Sequence, residues 1–209
     1  ESDIKAALLD VEADMLLEFT SPATVYANTR LALEAGLPVV VGATGLTEEQ
    51  LQELDVLARA RGMALFVAPN FAIGAVLLMR FAAEAARYLP EYEVLEIHNE
   101  RKADSPSGTA KYTLEAMERE RQADPIGGAN TTETIAGSRG GAYAGARVHS
   151  MRLPGVVAIQ EVLFGAEGQT LSLRHESISR DSFFPGVALA LRSVAALPPG
   201  LTSGLDKLL

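Results

Sequence analysis

The stretch from Glu96 to Ala110, EIHNERKADSPSGTA, concentrates more reactive side chains than any other part of the chain. A run ending in His98 reads as the end of a strand, and Lys102 follows at short range. Ser107-Gly108-Thr109 then opens a predicted helix. Unpaired amides at a helix N-terminus, two hydroxyls and a glycine that permits close approach make an anion site. A lysine adds a compact charge suited to a carboxylate. A histidine beside such a site can give or take a proton near neutral pH. A surface loop, a capped helix and an ordinary histidine would account for His98 taken alone, but poorly for the segment as a whole.

The elements that must position these residues fall into two textures. Up to Leu89, short apolar runs alternate with amphipathic helices. Met15–Phe19, Pro38–Val41 and Met63–Ala68 read as buried strands. Ser21-Pro22 reads as the cap of a helix running to about Ala35, with Gly36 as its left-handed stop. Thr47 and Gln50 form a capping box for a helix to Arg61, stopped by Gly62. Ile73–Leu89 is a third helix. Apolar strands alternating with capped helices predict a parallel sheet covered on both faces. After Pro90 the pattern changes. Glu93–His98 is a strand, and a helix from about Gly108 to Gln122 presents Ala110, Leu114 and Met117 on one face. Ala123–Gly141 is an irregular excursion rich in Gly, Thr, Asn and Pro. Strands follow at Ala146–Arg152, Val156–Phe164 and Thr170–Glu176. The last alternates Leu171, Leu173 and His175 with Ser172, Arg174 and Glu176, predicting one buried and one wetter face. A helix over Pro185–Ala196 closes the pattern.

Composition narrows the function classes. The 209 residues are 48% hydrophobic, enough for a core, and carry a net charge of -9; the mean hydropathy is +0.13. That charge repels phosphate backbones, and no basic stripe offsets it, so nucleic acid is excluded as an expected partner. No apolar run reaches the roughly 18 residues of a membrane span. The absence of cysteine removes disulfide and thiol chemistry. A cytoplasmic location is the default expectation. His149 and His175 have no metal-ligand spacing, so no metal site is expected. Arg139-Gly140-Gly141 reads as a loop before it reads as a phosphate nest.

The segment at Glu96 closely resembles the signature of the dihydrodipicolinate reductase family, usually E-x-H-H-x-x-K-x-D-A-P-S-G-T-A. Further blocks extend the resemblance over nearly the whole chain: Glu18-Phe19-Thr20-Ser21-Pro22, Gly42-Ala43-Thr44-Gly45, and Ala68 through Gly74 (APNFAIG). Gln160–Phe164, Arg174–Ser177, Ser182-Phe183 and Gly186 resemble actinobacterial-type members. The resemblance implies an α/β fold: a Rossmann-type cofactor domain over 1–70, rejoined by 186–209. An α+β substrate and oligomerisation domain with an open mixed sheet would cover 71–185. It implies hydride transfer from NADH or NADPH to a cyclic unsaturated dicarboxylate in lysine and diaminopimelate synthesis. Phe19, Thr20, Gly42, Ala43, Thr44, Ala68, Pro69, Asn70 and Phe71 would face the cofactor. Asn99, Lys102, Ser107, Gly108 and Thr109, with Thr44, would hold the substrate. His98 would be the proton donor, helped by Lys102. A homotetramer is also implied.

This sequence departs from the family pattern at three points. Asn99 stands where the family has a second histidine, and it cannot carry charge at neutral pH. Ile159 stands where a histidine is common. No glycine-rich turn of the G-x-x-G-x-x-G kind precedes Gly36, and residues 1–13 are too few to supply it with its strand. The cofactor domain is therefore expected to be truncated, the chain a piece of a longer enzyme, and its activity alone doubtful. The rival expectation is a non-catalytic dicarboxylate-binding or assembly protein that keeps Lys102 and the Ser107–Thr109 site without nucleotide affinity.

Overall fold

A computed structural model describes residues 12–123 and 132–209. Residues 1–11, and positions 124–131 of the expected excursion, lie outside the described residues. The chain divides into two compact units, residues 12–71 with Phe183–Leu209, and Ala72–Ser182.

In the first unit β1 (Leu16–Glu18), β2 (Val39–Val41), β3 (Ala64–Val67) and β9 (Gly200–Ser203) form a parallel sheet in the order β1-β2-β3-β9. Strand β2 consists of three valines with no exposure, as expected of a strand covered on both faces. Val39, Val41 and Leu65 meet α1 (Val25–Glu34) and α2 (Glu48–Arg61) through Leu33, Leu54 and Ala58. Helix α5 (Phe184–Val194) packs on β2 and β3 as well. Each fully buried Leu or Val side chain contributes roughly 1.5–3 kcal/mol to this arrangement.

The helix ends follow local chemistry. The Thr47 hydroxyl accepts from the Gln50 amide, and the Gln50 side chain accepts from the Thr47 amide, closing the capping box. Gly62 ends α2 at φ 67°, where a Cβ would be strained. The Ser21 cap is corrected: α1 begins at Val25, and Ser21 serves through its carbonyl, which accepts from the amides of Thr24 and Val25. The turn Ser21–Thr24 thus precedes the helix proper.

Strand β9 was not anticipated. Its four residues lack an apolar alternation long enough to register. Its position is set from outside: Gly200 and Gly204 donate to the carbonyls of Met63 and Val67, and Leu201 donates to Asp55 Oδ1 at 2.6 Å. The Arg59 side chain and that Leu201 amide hold the Asp55 carboxyl below its ordinary pKa.

In the second unit β5 (Gly141–Tyr143), β6 (Ala146–Arg152), β4 (Glu91–His98), β7 (Ala158–Ala166) and β8 (Gln169–Ser177) form a mixed sheet in that order. Strand β4 is central, parallel to β6 and antiparallel to β7. Helices α3 (Ile73–Ala86) and α4 (Gly108–Glu120) pack together and share a core with Tyr92, Val94, Val148, Val162 and Phe164. Ala110, Leu114 and Met117, the face expected of α4, have no exposure. Helix α3 stops at Ala86 rather than Leu89, and Arg87–Leu89 form a turn before Pro90. Strand β8 is less buried than its alternation suggested: Leu173 and His175 are only half-buried, and Leu171 is exposed. As the last strand of its sheet, β8 has a partner on one side alone.

Candidate functional site

The Glu96–Thr109 residues assemble around the end of β4 and the start of α4. Residues two apart on a strand share a face, so Glu96 and His98 lie side by side. Glu96 is completely buried. Its Oε2 lies 2.5 Å from His98 Nδ1 and accepts from Arg152 Nη1 at 3.0 Å. Its Oε1 accepts from Arg152 Nη2 at 2.9 Å and from the Ser107 amide at 3.3 Å. Burial alone would raise the pKa of Glu96. The hydrogen bonds from His98, Arg152 and Ser150 outweigh it and lower the value from 4.5 to about 2.

Arg152 extends this arrangement into the loop. Its Nη2 donates to the Asp104 carbonyl at 2.6 Å and its Nε to the Lys102 carbonyl at 3.3 Å. Lys102 Nζ lies 2.6 Å from Asp104 Oδ1. Burial would raise the Asp104 carboxyl, but the Lys102 hydrogen bond and charge hold it below its ordinary value. The Asp104 side chain is 58% exposed, so a ligand carboxylate can compete for the lysine. Asn99 Oδ1 accepts from the Arg101 amide at 3.2 Å, shaping the turn that carries Lys102. The buried Ser107 hydroxyl accepts from the Ala110 amide at 3.2 Å and so caps α4. Gly108 and Thr109 open the first turn of α4. His98, Asn99, Lys102, Ser107, Gly108 and Thr109 all belong to this one neighbourhood; Thr44 belongs to the first unit.

The first unit presents a second candidate edge, at the carboxyl ends of its parallel strands, where open α/β sheets bind ligands. The amides of Gly42 and Ala43 both donate to the Glu18 carbonyl, at 2.9 and 3.2 Å, and that of Ala68 to Val41 at 3.1 Å. Phe19, 45% exposed, stands 5.2 Å from the buried Phe71 ring. A Cβ on Gly42 would come within 2.1 Å of Phe19 Cζ, so the glycine makes room for that ring. Glu18 is buried and accepts from the Thr20 amide at 2.8 Å and from Asn28 Nδ2 at 3.0 Å, which fixes the turn after β1. An exposed aromatic plate backed by Phe71, at the carboxyl edge of a parallel sheet, fits the flat nicotinamide end of a dinucleotide.

Elsewhere, Arg139 and His149 both pair with Glu93, His149 Nε2 at 2.7 Å. The amides of Gly137 and Arg139 donate to the Glu133 carboxylate at 2.9 and 3.1 Å, so a side chain of the chain itself serves as the anion of that turn. His175 packs against Gly74, where a Cβ would approach its ring to 2.5 Å, and burial pushes its imidazole pKa down. Among the described residues, no group of three or more His, Cys, Asp or Glu could hold a metal.

Two family models together match nearly the whole chain. The model for dihydrodipicolinate reductase, N-terminus, matches residues 1–71, and that for dihydrodipicolinate reductase, C-terminus, matches 74–209. The chain belongs to the dihydrodipicolinate reductase family. It is 49% identical over 205 residues to 4-hydroxy-tetrahydrodipicolinate reductases of Streptococcus suis and Streptococcus thermophilus, covering 98% of this chain and 80% of each relative. The dipicolinate-bound dihydrodipicolinate reductase of Paenisporosarcina sp. TG-14 superposes with a TM-score of 0.85 at 42% identity, over 99% of this chain and 78% of that one. An amine dehydrogenase of Mycobacterium smegmatis, at 14% identity and a TM-score of 0.62, shares the fold. As a dihydrodipicolinate reductase family member the chain is an oxidoreductase, of a family whose reductases use NADH or NADPH.

Sequence reasoning missed the two residues that organise the dihydrodipicolinate reductase signature in space, Glu96 in its buried role and Arg152. Glu96 left a trace: Tyr92, Val94 and Glu96 occupy the core-facing positions of β4, where a carboxylate needs partners. Arg152 left none, because it lies 56 residues from Glu96 in the sequence.

Proposed function

We propose that the chain reduces 4-hydroxy-tetrahydrodipicolinate to tetrahydrodipicolinate, with loss of water, in lysine and diaminopimelate biosynthesis. The observation that carries this reading is the single neighbourhood formed by His98, Lys102 and the start of α4. NADH or NADPH, when bound, supplies the hydride. Phe19, Thr20, Gly42 to Thr44 and Ala68 to Phe71 hold its nicotinamide end. Lys102 takes one substrate carboxylate in exchange for Asp104. The start of α4, at Ser107, Gly108 and Thr109, takes an anionic group at the positive end of the helix. Asn99 and Thr44 complete the substrate contacts, and Ser107 contributes by capping the helix. His98 delivers the proton that completes the reduction.

The unit of residues 12–71 with Phe183–Leu209 is read as the cofactor domain, and Ala72–Ser182 as the substrate domain. The sheet face away from α3 and α4 exposes Met151 and Leu163, and we assign it to contacts between subunits of a homotetramer. Among the described residues no helix is long and apolar enough to cross a membrane, which is consistent with a cytoplasmic enzyme.

The test is a fluorescence titration of this 209-residue chain with NADH and NADPH, with and without pyridine-2,6-dicarboxylate. Binding of both ligands, with turnover, is expected. Dicarboxylate binding without nucleotide binding would favour the non-catalytic reading, and binding of neither would overturn the proposal.

A further inference from the structure

The hydrogen-bond contacts of the Glu96 carboxylate include two from the Arg152 guanidinium, one from the Ser107 amide, one at His98 Nδ1 and one from Ser150. A buried carboxylate so surrounded accepts but does not donate. The proton shared with His98 therefore resides on Nδ1, and Nε2 is the ring nitrogen that Glu96 leaves unengaged. The His98 side chain is 18% exposed, so the rest of the ring is not sealed in the core.

We infer that Glu96 is a positioning residue, fixing His98 in the Nδ1–H form so that Nε2 alone exchanges the proton with substrate. The inference rests on the proposed role of His98 and deepens it. During reduction the imidazolium gives up the Nε2 proton to the substrate and becomes the neutral Nδ1–H tautomer. Solvent later returns a proton to Nε2. The Nδ1 proton never leaves, and Glu96 never takes it, because Arg152 and the Ser107 amide hold the carboxylate ionised. The ring is thereby kept from flipping, since a flip would turn Cδ2–H toward the carboxylate and lose the Nδ1–H donor. Arg152 secures the device at its other end: it grips Glu96 with two nitrogens and the Lys102 and Asp104 carbonyls with the same guanidinium. The proton donor and the turn that carries the lysine are thus indexed to one buried carboxylate.

The chain has three histidines, which makes the tautomer directly readable. Long-range 15N–1H spectra of the unmodified chain, labelled in histidine and assigned with His98→Gln, are expected to show neutral His98 protonated on Nδ1. Glu96→Gln keeps the size of the side chain and an acceptor for Arg152 but loses the charge. In that variant the Nε2–H form should become populated and kcat should fall at least about tenfold. KM for the dicarboxylate substrate should change far less. A purely structural glutamate would leave the tautomer unchanged and shift KM and kcat together, and that result would overturn the inference. If Glu96→Gln does not fold, the unmodified chain still decides, because a neutral His98 protonated on Nε2 contradicts the assignment. Undiminished turnover in His98→Gln would instead remove the proposed proton donor. Loss of turnover in His98→Gln together with an Nε2–H tautomer in the unmodified chain would remove only the role of Glu96.

Discussion

Arg152 grips Glu96 with two nitrogens, at 3.0 and 2.9 Å, around a carboxylate that has no exposure to solvent. The folded-state pKa of Glu96 is depressed, from 4.5 to about 2. Its contribution to stability is therefore fully present above the unfolded value and is lost as pH falls through the folded one. Urea midpoints should hold steady near neutrality and decline between pH 4.5 and about 2. Arg152→Met should lower stability at pH 7 by about 3–5 kcal/mol, because it strands a buried charge. A variant that loses less than about 1 kcal/mol would show that the carboxylate is not dependent on this partner.

Lys102 separates the two kinds of binding. Lys102→Ala should weaken pyridine-2,6-dicarboxylate affinity about 10- to 100-fold through loss of a charge-assisted hydrogen bond. Nucleotide affinity should stay within about twofold, well inside that loss. Stability should barely change, since the pair with the exposed Asp104 is worth at most about 1 kcal/mol. Calorimetric titration of each ligand decides the matter, and equal losses for both would sink the role given to the lysine.

Gly42 offers the complementary case. Alanine there would bring Cβ to 2.1 Å from Phe19 Cζ, and the exposed ring must swing away. Nucleotide affinity is expected to drop about 3- to 10-fold as the aromatic plate is lost. Dicarboxylate affinity should be untouched. Unchanged NADH and NADPH titrations in Gly42→Ala would show that Phe19 does not serve the nucleotide.

Gly186 tests packing alone. A Cβ at this position of α5 would stand 2.0 Å from the Phe71 carbonyl oxygen. Backbone cannot rotate aside as a side chain does, so Gly186→Ala should destabilise by about 1–3 kcal/mol. Thermal unfolding followed by circular dichroism checks this; an unshifted midpoint would mean that α5 can back away from the Phe71 turn at no cost.

The features legible in the sequence are those set by near neighbours. Thr47 with Gln50, Gly62, the valine run of β2 and the Ala110, Leu114 and Met117 face each involve residues within one helix or strand. The order of His98, Lys102 and Ser107–Thr109 was readable for the same reason. What escaped depends on distance along the chain. Strand β9 takes its place from Met63, Val67 and Asp55, and the ion pair at Glu96 from Arg152. Ser21 misled because serine before proline suits a turn as well as a cap, and the Ser21 carbonyl rather than its hydroxyl does the work here.

The pairing of β3 with β9 also orders events during synthesis. The whole of Ala72–Ser182 is translated between the two halves of the first unit's sheet. A nascent chain can complete the second unit while β3 still lacks β9. The last stretch, from Phe183, follows within on the order of seconds at usual elongation rates. Until then the edge of β3 that will receive β9 offers its amides and carbonyls to any passing strand. The molecule therefore closes its parallel sheet last, after the mixed sheet of the second unit is already built.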